Sequence, residues 1–191
     1  MTEIRMAFTS DVDFELLLQH GRNEGWTAET TGESPIPSGE AAEDGAYFFS
    51  WRLDQGGSGR FVDDEVTEVK FFVFSGEVKT STITRFRQSF PTATYKEFLD
   101  RVANDVPHED QDRALEMIGA IAPRTYTDAV YEFVSRGLDG DTASVRTAAI
   151  SAVMQLSWRE FREPLKRVAD HDPDPNNRAY ATNTLYSLPQ G

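Results

Sequence analysis

Within 169-ADHDPDPNNRAYA-181, Asp170, Asp172 and Asp174 alternate as the first three ligands of a calcium loop do, with His171 among them. Carboxylates at that spacing could offer hard oxygen ligands to Ca2+. An EF-hand loop opening at Asp170 also needs glycine at its sixth position and a bidentate glutamate at its twelfth. The chain has Pro175 and Ala181 there. Proline cannot make the left-handed turn, and the bidentate ligand is missing. The corresponding stretches 105-DVPHED-110 and 139-DGDTAS-144 keep acids but not their register. Asp, Asn and Ser accept hydrogen bonds from the free N–H groups of a helix's first turn, where negative charge is favoured. The three loops are therefore expected to end one helix and cap the next, and no metal site is predicted.

Other catalytic chemistry is equally hard to assemble. His20, His108 and His171 lie far apart in the sequence, two of them in these loops. No metalloprotease, serine-hydrolase, P-loop or dinucleotide motif is present. The chain has no cysteine, which removes disulfides, thiolate nucleophiles and Cys-based zinc sites. The cluster Gly56, Gly57 and Gly59 is flanked by strand patterns and reads as a hairpin turn rather than a phosphate cradle. Asp63, Asp64 and Glu65 could be imagined as hydrolytic carboxylates, but they have no apolar surroundings to shift a pKa and read as solvated surface. No catalytic residue, cofactor site or metal site is predicted, and nothing asks for enzymatic activity.

Charge speaks to partners instead. The 191 residues carry 32 acids against 19 bases, a formal charge of -13. Residues 1–91 hold 16 acids against 8 bases and the rest 16 against 11, so neither half offers the basic footprint that nucleic acid requires. Direct nucleic-acid binding is not expected; a basic protein partner is, because the field would speed its capture. No run of about 18 apolar residues marks a membrane span. The N-terminus lacks a secretory pattern, so a cytoplasmic location is expected.

The elements that must position any site fall into two grammars. Residues 1–91 read as a mixed α/β domain of order β-α-β-β-β: a strand over 3–8, a helix capped by Ser10 with Phe14, Leu17 and Leu18 on one face, and a long mobile loop over 27–45. Strands at 47–53, 66–74 and 78–90 follow in antiparallel pairing. Pro91 marks the boundary. From there the apolar period becomes helical and repeats. The segment 165-LKRVADHDPDPNNRAYA-181 matches 133-FVSRGLDGDTASVRTAA-149 at an offset of 32, placing Arg146 with Arg178, Ala149 with Ala181, Val153 with Leu185 and Leu156 with Leu188. A third copy over 99-LDRVANDVPHEDQDRAL-115 aligns within a residue or so. The second helix of the middle copy has a stripe of Val145, Ala148, Ala149, Ala152, Val153 and Leu156, small enough for close stacking, which one helix pair cannot bury alone. The fold class is α+β, with an N-terminal antiparallel sheet and an all-α second half over 92–191.

Asp141, Val145, Arg146, Ala149 and Leu156, then Asp172, Arg178, Ala181, Leu185 and Leu188, resemble the pattern of HEAT repeats, in particular the short variety found in phycobilin lyases. The resemblance implies an α-solenoid of about three helix pairs, with loop acids and helix arginines paired between neighbouring repeats. Such solenoids serve as scaffolds, lyase-chaperones and inhibitors, so the resemblance fixes no activity. A protein-binding module fits best, and one form of it is an immunity or inhibitor protein that neutralises a basic toxin. A scaffold or regulatory adaptor is the alternative, and an enzyme or chaperone-lyase acting on a small molecule is a third reading. The candidate contact residues are Ile150 and Met154 beside the stripe of the middle copy, Tyr180 and Tyr186 beside that of the last, and Asp172 and Asp174 as steering charges at the rim. Trp26, Trp51 and Trp158 read as core, and Leu185 and Leu188 should be buried.

Overall fold

A computed structural model describes residues 3–29, 46–54, 56–64, 68–105 and 110–190. Backbone contacts divide the chain into two units, Met1–Thr94 and Tyr95–Gly191. Mixed α+β architecture is present: a six-stranded antiparallel sheet and, among the described residues, eight α-helices. No helix among the described residues is long and apolar enough to cross a membrane.

The first unit runs β1 (Glu3–Phe8), α1 (Phe14–Asn23), β2 (Thr27–Glu29), β3 (Ala46–Arg52), β4 (Ser58–Asp64), β5 (Val69–Ser75), α2 (Thr80–Ser89) and β6 (Thr92–Thr94), with spatial strand order β2-β3-β4-β5-β1-β6. Asp13, not Ser10, caps α1, its carboxylate accepting the Glu15 N–H at 2.9 Å. The glycine cluster is a turn: Gly56 has φ +86° and Leu53 N–H reaches Gly57 O at 2.8 Å, closing β3 onto β4. Strand β4 lies ahead of the strand expected at 66–74, and its Asp63, expected as solvated surface, sits in the sheet beside Lys70, 2.9 Å away. β2 takes the first residues of the expected 27–45 loop, whose remainder is outside the described residues.

The largest correction is at 78–90, expected as a strand and found as the helix α2. Thr, Ile and Phe favour strands, but Ile83, Phe86 and Phe90 are spaced by three and four residues. That spacing lets all three reach one apolar cluster, in which Phe86 is fully buried. Tertiary burial decides the element here. The same cluster gathers Met6, Phe8, Leu17, Trp26, Phe49, Trp51, Phe61, Phe72 and Phe74. β5 is apolar on both faces, since Val69, Phe71 and Val73 are buried as well, which accounts for its unbroken hydrophobic centre.

The second unit contains α3 (Tyr95–Asp105), α4 (Gln111–Ile121), α5 (Asp128–Leu138), α6 (Ala143–Leu156), a 3-10 turn at Arg159–Phe161, α7 (Arg162–His171) and α8 (Pro175–Ser187). The N-caps of α4, α6 and α8 are Asp110, Thr142 and Asp174, spaced by 32 residues each time. The period therefore holds for the first copy too, where the sequence alignment is loose. Thr142 Oγ1 accepts the Val145 N–H at 3.2 Å and the Asp174 carboxylate accepts the Asn176 N–H at 2.7 Å. Helices α3 with α4, α5 with α6 and α7 with α8 pack as neighbours, and α6 also packs against both α4 and α8. Glycine makes the α4–α6 approach possible: a Cβ on Gly119 would lie 2.8 Å from Ala152 Cα. Leu188 is buried as expected, whereas Leu185 is only half-buried.

Candidate interaction surface

The α6–α8 seam is where four of the six candidate residues can be compared directly. At its start the Asn177 amide donates to Ala143 O at 3.1 Å, and the Thr147 hydroxyl donates to Asn177 Oδ1 at 2.6 Å. One turn along α6 lies Ile150, with no exposed surface, so it belongs to the core and cannot touch a partner. One turn further Met154 emerges, 43 % exposed, with the Tyr180 hydroxyl of α8 4.0 Å from its sulfur. Met154 and Tyr180 thus form one continuous surface feature. Tyr186, 84 % exposed, is six residues beyond Tyr180 and occupies a different face of α8.

The two aspartates expected at the rim do other work. Asp172 is buried and receives a two-pronged hydrogen bond from the Arg146 guanidinium at 2.7 and 3.1 Å, plus the Asp174 N–H at 2.8 Å. Burial opposes ionisation of Asp172, but the Arg146 hydrogen bonds and the Asp174 N–H outweigh it and hold the carboxyl below its ordinary range. Arg146 also donates to Gly140 O at 2.8 Å, and Arg178 makes the same six-residue backward bond to Asp172 O at 2.6 Å. Asp174 spends its carboxylate on the α8 cap. These groups tie the α7–α8 loop to α6, and Arg146 compensates the charge of Asp172.

Sequence reasoning missed the composition of the surface itself. In a chain that is 27 % charged, α6 and α8 carry one charged side chain each, Arg146 and Arg178, and no acid. Arg146 is buried and Arg178 is held by loop carbonyls. What α6 and α8 expose is Ser144, Thr147, Met154, Pro175, Asn176, Ala179, Asn183, Tyr186 and Ser187. The signal was readable as the absence of acids from 143–156 and 175–187.

Elsewhere the candidates for chemistry disperse. His20 packs edge-on against Trp26, Phe86 and Phe90 at 5.3–5.7 Å between ring centroids, and its Nε2 has no hydrogen-bond partner among the described residues. Desolvation lowers its pKa, with Glu24 opposing and Arg85 assisting. His108 lies outside the described residues, and His171 is exposed at the end of α7. Trp26, Trp51 and Trp158 are buried. A cavity of about 240 Å³ in the second unit is lined by Val102, Gln111, Leu115, Phe133, Arg136, Gly137 and Val145, smaller than the usual range for ligand sites. Among the described residues, no three metal-ligating side chains converge. The chain matches no family model, no curated protein and no solved structure.

Proposed function

We propose that the chain is a non-enzymatic protein-binding module, in which α3–α8 form a short solenoid of three HEAT-like helix pairs and the outer stripe of α6 and α8 docks the partner. The observation that carries this reading is the uncharged stripe around Met154 and Tyr180. Burying Ser, Thr, Asn, Met and Tyr against a partner costs far less than burying carboxylates, and interface cores are depleted of charge for that reason. Tyrosine supplies rigid contact area at low entropy cost. The surrounding charge of -13 favours a basic partner and raises its encounter rate. Neutralisation of a basic toxin is the specific form these features fit, with a scaffold or adaptor role using the same surface.

Capture from native cells identifies the partner; surface mutants then locate the contact. Tyr180→Ala and Met154→Ser should raise the dissociation rate at least about fivefold, the scale of an interface residue costing more than 1 kcal/mol. High salt should mainly slow association. Unchanged dissociation in both folded variants would exclude this stripe as the docking face.

A further inference from the structure

The repeated helix pairs supply an internal comparison for the cavity of the second unit. Its walls Gln111, Leu115, Phe133, Arg136 and Val145 correspond, at the offset of 32, to Ala143, Thr147, Leu165, Val168 and Asn177 between the second and third pairs. There the gap is closed. Leu165, Val168 and Asn177 are buried, and Asn177 bonds both Ala143 O and the Thr147 hydroxyl. Between the first and second pairs, Val145 stands where Asn177 would bridge, and its side chain has no polar atom with which to do so. Arg136, in the place of Val168, is exposed rather than packed inward. A cavity of about 240 Å³ remains where the counterpart is filled, so the opening belongs to these residues and not to repeat stacking as such.

The cavity has an apolar body and a cationic rim. Leu115 and Val145 are buried in its wall, and Val102 and Phe133 are half-buried. The Arg136 guanidinium stands over the Phe133 ring, 6.0 Å from its centroid. Among the described residues Arg136 forms no ion pair, in contrast to Arg146 with Asp172. A guanidinium fork matches a carboxylate through two parallel hydrogen bonds and binds a neutral group less well. A dry apolar cavity of about 150 Å³ is enough to hold benzene. The present volume therefore suits one ring or a branched chain with a small polar group attached.

We propose that this cavity binds a small carboxylic acid, an aromatic or branched one of about ten non-hydrogen atoms, well below drug size. Its apolar body lies among Val102, Leu115, Phe133 and Val145, and its carboxylate meets Arg136 at the mouth. The occupant joins the first helix pair to the second, the part that Asn177 plays between the second and third. Apolar walls with one convergent charged group are the usual composition of a small-molecule site between helices. The inference rests on the repeat register and on the cavity, and not on partner docking at Met154 and Tyr180.

Amide NMR titration of the whole chain near neutral pH, with benzoate and with benzamide as its uncharged counterpart of similar shape, tests it. Benzoate should shift the amides of Leu115, Gly137 and Val145 saturably with a Kd on the order of 1 mM, and benzamide should bind at least about tenfold more weakly. Arg136→Val installs the residue of the next repeat at an exposed position and should erase the difference between the two probes. Val102→Phe fills the cavity and should abolish saturable binding of both. Equal affinity of the wild type for the two probes overturns the proposal. So does the absence of saturable shifts at these amides up to about 20 mM benzoate, well above the expected Kd. A folded Val102→Phe that binds as the wild type does also overturns it, and if that variant does not fold, the Arg136→Val comparison decides alone. Arg136→Val leaves Met154 and Tyr180 in place, so failure here and failure of the docking reading are separable.

Discussion

Between the sheet and its helices the first unit packs rings: Phe72 and Phe86 lie 4.4 Å apart, Phe49 and Trp51 4.5 Å, Phe72 and Phe74 4.8 Å. Between α4, α6 and α8 the second unit packs Ala120, Ala148, Ala149, Ala152 and Ala181 around a few branched side chains. The difference follows from what each architecture must fill. A helix laid on a sheet leaves space that only large side chains span, and ring pairs add about 0.5–1.5 kcal/mol beyond area burial. Stacked helices stabilise through close approach of their backbones, so alanine and glycine at the contacts are what the geometry demands. The first core should accordingly be sensitive to lost volume and the second to added volume.

The largest test of that contrast is Phe86→Ala. Phe86 has no exposed surface and lies within 6.4 Å, centroid to centroid, of Phe8, His20, Trp26, Phe72, Phe74 and Phe90. Truncation should cost about 3–5 kcal/mol in a urea titration of the whole chain. A cost below about 1 kcal/mol would mean that α2 is not the keystone of the aromatic core.

A comparable loss is expected at the Arg146–Asp172 pair of the second unit, for an electrostatic reason. Arg146→Met leaves the buried Asp172 carboxylate without its guanidinium, and breaking a buried pair costs about 3–5 kcal/mol. Replacing both residues, as Arg146→Met with Asp172→Leu, should recover most of the loss, since a packed apolar pair avoids two desolvated charges. A strictly additive double mutant would show that the two groups do not act as a pair. The pH dependence follows from the depressed pKa of Asp172: its contribution is present above the unfolded carboxylate value near 3.9 and is lost as pH falls through the folded one.

These two regions were unequally legible in the sequence. The N-caps at Asp110, Thr142 and Asp174 recur because each copy solves the same local problem, and local problems leave periodic traces. The sheet's register is decided by pairings such as Phe61 with Phe72, which no short window contains. Residues 80–89 were misread for the same reason, their composition favouring a strand while burial of Phe86 required a helix. Among the site candidates, Met154 and Tyr186 are exposed; Ile150 is not, because α6 sits between α4 and α8 and buries residues outside its own main stripe, and Asp172 is not, because it is held against Arg146 of α6. Counting apolar positions on α6 alone cannot reveal a second neighbour.

A smaller, opposite effect should follow from adding a single methyl group where the second unit is tightest. The Cβ of Gly119→Ala would sit 2.8 Å from the Ala152 backbone, and α4 must move away from α6 to relieve it. The helix-propensity gain of alanine over glycine, about 1 kcal/mol, offsets part of the strain. The net loss should still be about 1–2 kcal/mol by thermal unfolding, within the range for overpacking. A stabilised variant would show that the α4–α6 contact has slack, which would weaken the claim that close approach defines this core.

The smallest effect sharpens the comparison from the first unit, where one polar group sits among the rings. His20 is held against Trp26, Phe86 and Phe90 with Nε2 unpartnered among the described residues, and desolvation disfavours its charged form. Its folded pKa is therefore below the unfolded value near 6.5. Between those two values the unfolded chain binds more protons, so stability falls as pH drops below about 6.5 and is independent of this group above it. Glu24, whose pKa is lowered chiefly by its hydrogen bonds from Arg85, gives up its contribution only in more acid solution, below the ordinary carboxylate range. The two windows separate. Urea midpoints compared at pH 7.5 and 5.5 should show the wild type losing stability, and His20→Phe, which keeps a ring in the cluster and removes the titrating nitrogen, should lose less. An equal loss in both proteins would place the titration on another group and leave the aromatic core indifferent to protons.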